Sequence, residues 1–199
     1  MHKTIFTFAM LLTAATAATA QSPATGQCLG HDYVDLGLSV MWATCNIGAS
    51  SPSYYGDYFA WGEAETKAEY TEENSATQGK SSYTFLDAAS AQWGSAWRMP
   101  TRAECQELID NCTWQWTTVG GHKGYKVTSK KNGNSIFVPA AGRRYDTQLR
   151  SAGEWGYYWS SSPYESRSYY AYNLFFSSGD PYVYWDCRFL GNSIRPVSE

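Results

Sequence analysis

The densest constraint on this chain lies in its last quarter. Residues 155–199 read WGYYWSSSPYESRSYYAYNLFFSSGDPYVYWDCRFLGNSIRPVSE, with eight of the 16 tyrosines, three of the nine tryptophans and no lysine. Ser, Gly, Asp, Asn and Arg separate the aromatics. Tyr and Trp supply broad, stiff, amphipathic contact area, and Ser, Gly and Asn supply adaptable hydrogen bonding, which is the composition of binding loops. Aromatic residues also favour strands, so part of the set belongs to a β core. Core packing does not account for Asp180-Pro181-Tyr182 or Tyr184-Trp185-Asp186.

The other end reads as an export signal. His2 and Lys3 precede an apolar run, Ile5 to Leu12, and Ala18-Thr19-Ala20 forms a small-residue cleavage motif before Gln21. The run is too short to span a bilayer, and no other run of spanning length follows. Residues 24–27 before Cys28 do not form a lipobox. The expectation is a secreted, periplasmic or cell-surface protein with a mobile lead-in at 21–31 and a single domain at 32–199. The formal charge is −3, one unit more negative once Lys3 is removed. An acidic chain without Lys/Arg blocks is a poor nucleic-acid binder and fits an anionic membrane surface badly.

Five cysteines in an exported chain leave at least one unpaired. Cys105 and Cys112 share a helix face too far apart to bridge each other. Cys45 with Cys112 is the expected pair, and Cys187 is the odd one.

In chain order, Val34, Leu36, Leu38, Val40 and Trp42 alternate as on a strand, with Gly37 placed to bend or split it. Residues 58–61 read as a short aromatic strand. The glutamate-rich stretch 63–82 reads as a solvated excursion, and 86–93 as a short helical turn. The clearest local signal is WRMPTRAECQELIDNCTW. Thr101 with Glu104 forms a capping box, and Cys105, Leu108, Ile109 and Cys112 make one buried face of a helix at 101–112. Segments 124–129 and 135–138 flank Lys130-Lys131-Asn132-Gly133 as a hairpin. The whole reads as many short strands with one helix.

Trp97-Arg98-Met99-Pro100-Thr101-Arg102-Ala103-Glu104 resembles the helix start of the formylglycine-generating-enzyme branch of the C-type lectin fold. Residues 33–40, 157–161 and 191–197 resemble the Fibrobacter-succinogenes-type paralogous domain of exported bacterial proteins. The resemblance implies an α+β, C-type-lectin-like fold in which N- and C-terminal strands pair and an irregular sheet region displays ligand-binding residues. Some proteins of this fold are variable proteins of diversity-generating retroelements, altered at adenines of codons such as AAC. The positions Tyr164, Arg167, Tyr169, Tyr170, Asn173, Phe175, Asp180, Pro181, Tyr182, Tyr184, Asp186, Cys187, Arg188, Phe189, Leu190 and Asn192 all carry residues such changes can reach. Trp185 cannot arise that way. Alternation turns Leu174, Phe176 and Val183 inward, and Asn173, Phe175, Tyr182 and Tyr184 outward.

Enzyme chemistry fares less well. The formylglycine branch uses neighbouring C-terminal cysteines, and here Cys187 stands alone. His31 and His122 read as exposed loop residues, and no serine sits in a G-x-S-x-G motif. Zinc spacing is absent. No cofactor is expected; calcium held by carbonyls and scattered Asp stays open.

The reading is therefore an exported, non-enzymatic binder of a protein or glycan ligand on another surface. Tyr164, Tyr182, Tyr184 and Trp185 are its aromatic anchors, and Arg167, Asp180, Asp186 and Arg188 tune charge. Tyr169, Tyr170, Asn173, Phe175, Leu190 and Asn192 complete the surface. A fixed glycan- or mucin-binding module is the alternative, and a formylglycine-type oxidase stands behind it.

Overall fold

The computed structural model describes residues 21–199; the expected signal segment, 1–20, lies outside them. The described chain runs β1 (Gly26–Cys28), β2 (His31–Val34), β3 (Met41–Ala43), α1 (Ala88–Trp93), α2 (Arg102–Asn111), β4 (Cys112–Val119), β5 (His122–Ser129), β6 (Ser135–Pro139), β7 (Arg143–Tyr145), β8 (Gln148–Arg150), β9 (Gly156–Pro163), β10 (Tyr170–Phe176), β11 (Tyr182–Cys187) and β12 (Val197–Ser198). The sheets are ordered β1-β2-β3-β12, β4-β5-β6, β11-β10-β9 and β7-β8.

This corrects the expected α+β, C-type-lectin-like fold. Among the described residues twelve strands in four small sheets stand against helices of six and ten residues, so the fold is mostly sheet. Its physical origin is the spread of aromatic and β-branched residues along the chain, which suits half-buried pleated surfaces.

Local signals map onto their elements. Thr101 caps α2: its side chain accepts from Glu104 N–H while the Glu104 carboxylate accepts from Thr101 N–H at 2.7 Å. Cys105 and Leu108 are buried on that helix. The alternating run 34–42 is divided, as Gly37 adopts φ +67° between β2 and β3. The β5–β6 hairpin closes through residues 130–134. Two stretches differ from expectation. The lead-in contains β1, and Ser22 N–H donates to Ser135 C=O (2.8 Å) on the outer edge of β6. The stretch 63–82 is only partly solvated: Tyr70 is buried and donates to Tyr58 C=O (2.5 Å), and Thr77 donates to Trp61 C=O (2.7 Å).

Two cores result. The first holds Val34, Leu36, Trp42, Leu108, Val127, Ile136, Tyr158, Leu174, Phe176 and Val197 between α2 and the inner faces of the sheets. The second gathers Phe59, Trp61, Met99, Trp159, Ala171, Leu190 and Ile194. Among the described residues no helix is long and apolar enough to cross a membrane. The expected Cys45–Cys112 bridge is not formed, and all five cysteines are free. Cys112 packs inside the first core, where burial pushes its thiol up to about 11.

Arg195 ties these parts together. It is 2% exposed; its Nε donates to Asn46 Oδ1 (2.8 Å), Nη1 to the carbonyls of Ala43 (3.0 Å) and Thr44 (2.6 Å), and Nη2 to Phe137 C=O (3.0 Å). Asn46 Nδ2 in turn donates to Tyr158 Oη (3.2 Å), which donates to Pro139 C=O (2.5 Å). The planar guanidinium fork reaches all four acceptors at once, and a lysine ammonium cannot. Arg195→Lys leaves buried acceptors unpaired at about 1–3 kcal/mol each. The variant is expected to lose about 3 kcal/mol of stability, read as a fall in Tm of roughly 6–12 °C.

Candidate functional site

The candidate site lies on the outer face of the β9–β10–β11 sheet. Cross-strand partners share a face: Tyr157 with Phe175 and Tyr182, and Trp159 with Asn173 and Tyr184. The opposite face carries Tyr158, Leu174, Phe176 and Val183 into the first core. Gly156 starts β9 because the Phe176 ring occupies the place of a side chain, 2.1 Å from where a Cβ would sit.

The outer face is divided in two. At the Trp159–Ala171 end the second core covers it: Trp159 Nε1 donates to Phe59 C=O (2.9 Å), and Trp61 Nε1 to Ser160 C=O (2.8 Å). At the other end the aromatics stay open and line a groove of about 440 Å³ with Arg143, Trp155, Tyr157, Tyr170, Phe175, Tyr182, Tyr184, Trp185, Asp186 and Cys187. Their rings form a belt of contacts that passes round the edge strand β11 at Tyr184 and Trp185, from the outer face to the face that Tyr172 and Trp185 share. Phe175 contacts Tyr157 and Tyr182 at 5.0 Å between centroids, Tyr184 stacks on Trp185 at 5.2 Å, and Trp185 meets Tyr170 at 4.6 Å and Tyr164 at 5.7 Å. Arg102 closes the far end, its guanidinium 4.2 Å over the Tyr172 ring. Trp155, Tyr182 and Tyr184 are 41–47% exposed, which leaves them open to a ligand.

One ion pair, Arg143 with Asp186, sits among these rings. The Arg143 guanidinium also lies 4.7 Å over the Tyr157 ring. Burial is the largest influence on Asp186 and raises its carboxyl above the ordinary value of 3.8; Arg143 and the Cys187 N–H (3.0 Å) pull it partly back. Desolvation thus outweighs pairing here. The Cys187 thiol, half-buried in the groove, is pushed up to about 11 by burial and then by Asp186.

The structure brings together some expected site residues and separates others. Tyr164, Tyr170, Phe175, Tyr182, Tyr184, Trp185 and Asp186 belong to the belt or its groove. Tyr169 is exposed, with its ring over Gly79; Arg167 and Asp180 are exposed outside the groove lining. Asn173, Arg188, Leu190 and Asn192 are buried. Asn173 does point to the outer face, but under the second core, and neither its amide nor that of Asn192 has a hydrogen-bond partner. Arg188 is an internal clamp: its guanidinium lies 4.5 Å over Trp61 and 4.9 Å over Tyr83, and Nε donates to Tyr170 C=O (3.0 Å). Leu190 packs in the second core. Sequence reasoning missed Arg143, Trp155 and Tyr157 as groove residues; Trp155 and Tyr157 were marked only as members of the aromatic quarter, and Arg143 by nothing but its closeness to it.

The two histidines among the described residues are neither free nor together. His31 stacks on Trp93 at 3.8 Å, and His122 meets Tyr54 and Tyr55 edge-on. Among the described residues no three His, Cys, Asp or Glu side chains are grouped to hold a metal ion.

Residues 114–197, from β4 into β12, are similar to a family described as a domain of unknown function, DUF8237. No curated protein and no solved structure matches the chain.

The raised Asp186 carboxyl fixes a pH dependence. Its contribution to stability is full below the ordinary carboxylate value and is lost as pH rises through the folded value. Asp186→Asn should flatten the Tm–pH curve just above pH 3.8 and leave Tm at pH 7 equal or higher. Arg143→Met should lower Tm at pH 7, because Asp186 then ionises without a counter-charge.

Proposed function

We propose that this is an exported, non-enzymatic ligand-binding protein whose ligand occupies the aromatic groove on the β9–β10–β11 sheet. The observation that carries the reading is the belt itself. Stiff rings on a sheet present contact area at low entropic cost, and this open end is bounded by a covered one. Arg143 and Asp186 add hydrogen-bonding groups at a fixed place, already neutralised by each other. Such a site suits a ligand with apolar faces and a few polar groups, as on a protein surface or a glycan. Support for binding over catalysis comes from Cys187, whose raised thiol is a poor thiolate source.

Diversification of this face by a retroelement remains part of the proposal, on a narrower set of positions. Tyr164, Arg167, Tyr169, Tyr170, Phe175, Asp180, Tyr182, Tyr184 and Asp186 are at least partly accessible and tolerate change; Asn173, Arg188, Phe189, Leu190 and Asn192 are buried and do not. Sequencing the locus and its copies across isolates should show replacements concentrated on the first set. Equal variation in both sets would remove diversification and leave a fixed module.

The glycan alternative draws on the same rings, since sugar faces stack on Tyr and Trp. Glycan arrays and surface-protein panels, probed with and without calcium, separate the two ligand classes. Against whichever ligand binds, Trp155→Ala and Tyr182→Ala should each cost about 2 kcal/mol, roughly thirtyfold in Kd, without a change in Tm. Unchanged affinity in both variants moves the site off the groove.

A further inference from the structure

β11 is the outer strand of its sheet. The hydrogen bond from Arg188 N–H to Tyr169 C=O (3.0 Å) sets the phase of its ladder with β10. Residues 182, 184 and 186, opposite 175, 173 and 171, therefore bond inward, and Val183, Trp185 and Cys187 turn their backbone groups outward. Cys187 is satisfied already: its N–H donates to Asp186 Oδ1 (3.0 Å) and its C=O accepts from Leu190 N–H (3.1 Å). At the other end Pro181 has no N–H to offer. Four groups stay open, the N–H and C=O of Val183 and of Trp185, none with a partner among the described residues. They lie symmetrically about Tyr184.

Two other sheet edges, those of β6 and β9, are covered. On β6, Ser22 Oγ accepts from Ser135 N–H (2.9 Å) and Gln21 Oε1 from Phe137 N–H (3.2 Å). On β9, Trp159 N–H donates to Ser193 C=O (3.0 Å) and Ser193 N–H to Tyr157 C=O (3.1 Å). The usual guards of an open edge are lysines, prolines, bulges and inward charges, and Pro181, just before β11, guards only that end. β11 has no lysine, its pairing with β10 is regular, and its one charge, Asp186, is held by Arg143.

We infer that β11 pairs antiparallel with β11 of a second copy of this chain, about a two-fold axis beside Tyr184. Val183 then bonds to the partner's Trp185, and Trp185 to the partner's Val183, so all four open groups are satisfied together. Tyr184 faces the partner's Tyr184, and Tyr182 faces the partner's Asp186. The open window is closed at both ends and as short as β11 itself, which fits a second β11. Neutralisation of Asp186 by Arg143 lets the two copies meet without like-charge repulsion. The two sheets become one, and the aromatic groove of each copy borders the other's tyrosines. This goes beyond the binding reading and does not depend on the ligand.

The register gives the test. Non-hydrogen-bonded antiparallel partners hold their Cβ atoms about 4.5–5.5 Å apart, close to disulfide reach. Under mild oxidation Tyr184→Cys should form a cross-linked dimer on a non-reducing gel, and Tyr182→Cys and the wild type should not. In sedimentation the wild type should be dimeric, and Tyr184→Lys, which sets like charges face to face, should weaken the dimer at least roughly tenfold with an unchanged circular-dichroism spectrum. A monomeric wild type, a dimer indifferent to Tyr184→Lys, or equal cross-linking of both cysteine variants overturns the proposal. Trp155→Ala lies off this edge, so a failure of ligand binding there is read separately.

Discussion

The fold depends most on a buried cation with no anion. Arg195 is enclosed by three backbone carbonyls and one amide oxygen, drawn from β3, the residues just after it, and β6. Burying a guanidinium is costly unless every donor finds an acceptor, so the site tolerates little rearrangement. Because Asn46 and Tyr158 extend the network into β9, the first core, the β4–β5–β6 sheet and the sheet that carries the groove are fixed to one point. The groove is thereby presented on a frame whose polar contacts are specific in direction.

The frame also explains why one sheet face serves two purposes. The segments at 59–61 and 188–194 cover its Trp159–Ala171 end and stop short of Phe175 and Tyr182. The Arg143–Asp186 pair lies in the open part, where burial penalises the carboxylate more than the pairing stabilises it. A pair whose carboxylate is penalised by burial at this point is better understood through what the groove contacts.

Legibility in the sequence followed the range of the interactions. The α2 cap needs only Thr101 and Glu104, three residues apart, and was plain. Inward Leu174, Phe176 and Val183 followed from alternation within single strands. The same alternation set Asn173 outward, which is correct in direction and wrong in exposure. Its cover comes from Phe59 and Trp61, more than a hundred residues away, and no local pattern announces that. Arg188 looked like a surface charge because its partners, Trp61, Thr77 and Tyr83, are equally distant. The lectin-like expectation came from short motifs; the four small sheets are set by pairings that those motifs do not contain.

The clamp at Arg188 bears on where this protein can be divided. The family match begins at residue 114, yet Arg188 closes on Trp61 and Tyr83, and Arg195 on Ala43, Thr44 and Asn46. A fragment cut at the start of the match would carry two arginines whose enclosures had been left behind, together with an uncovered Trp159. The matched segment is thus a unit of sequence likeness whose buried arginines are enclosed from outside it, by residues between 43 and 83.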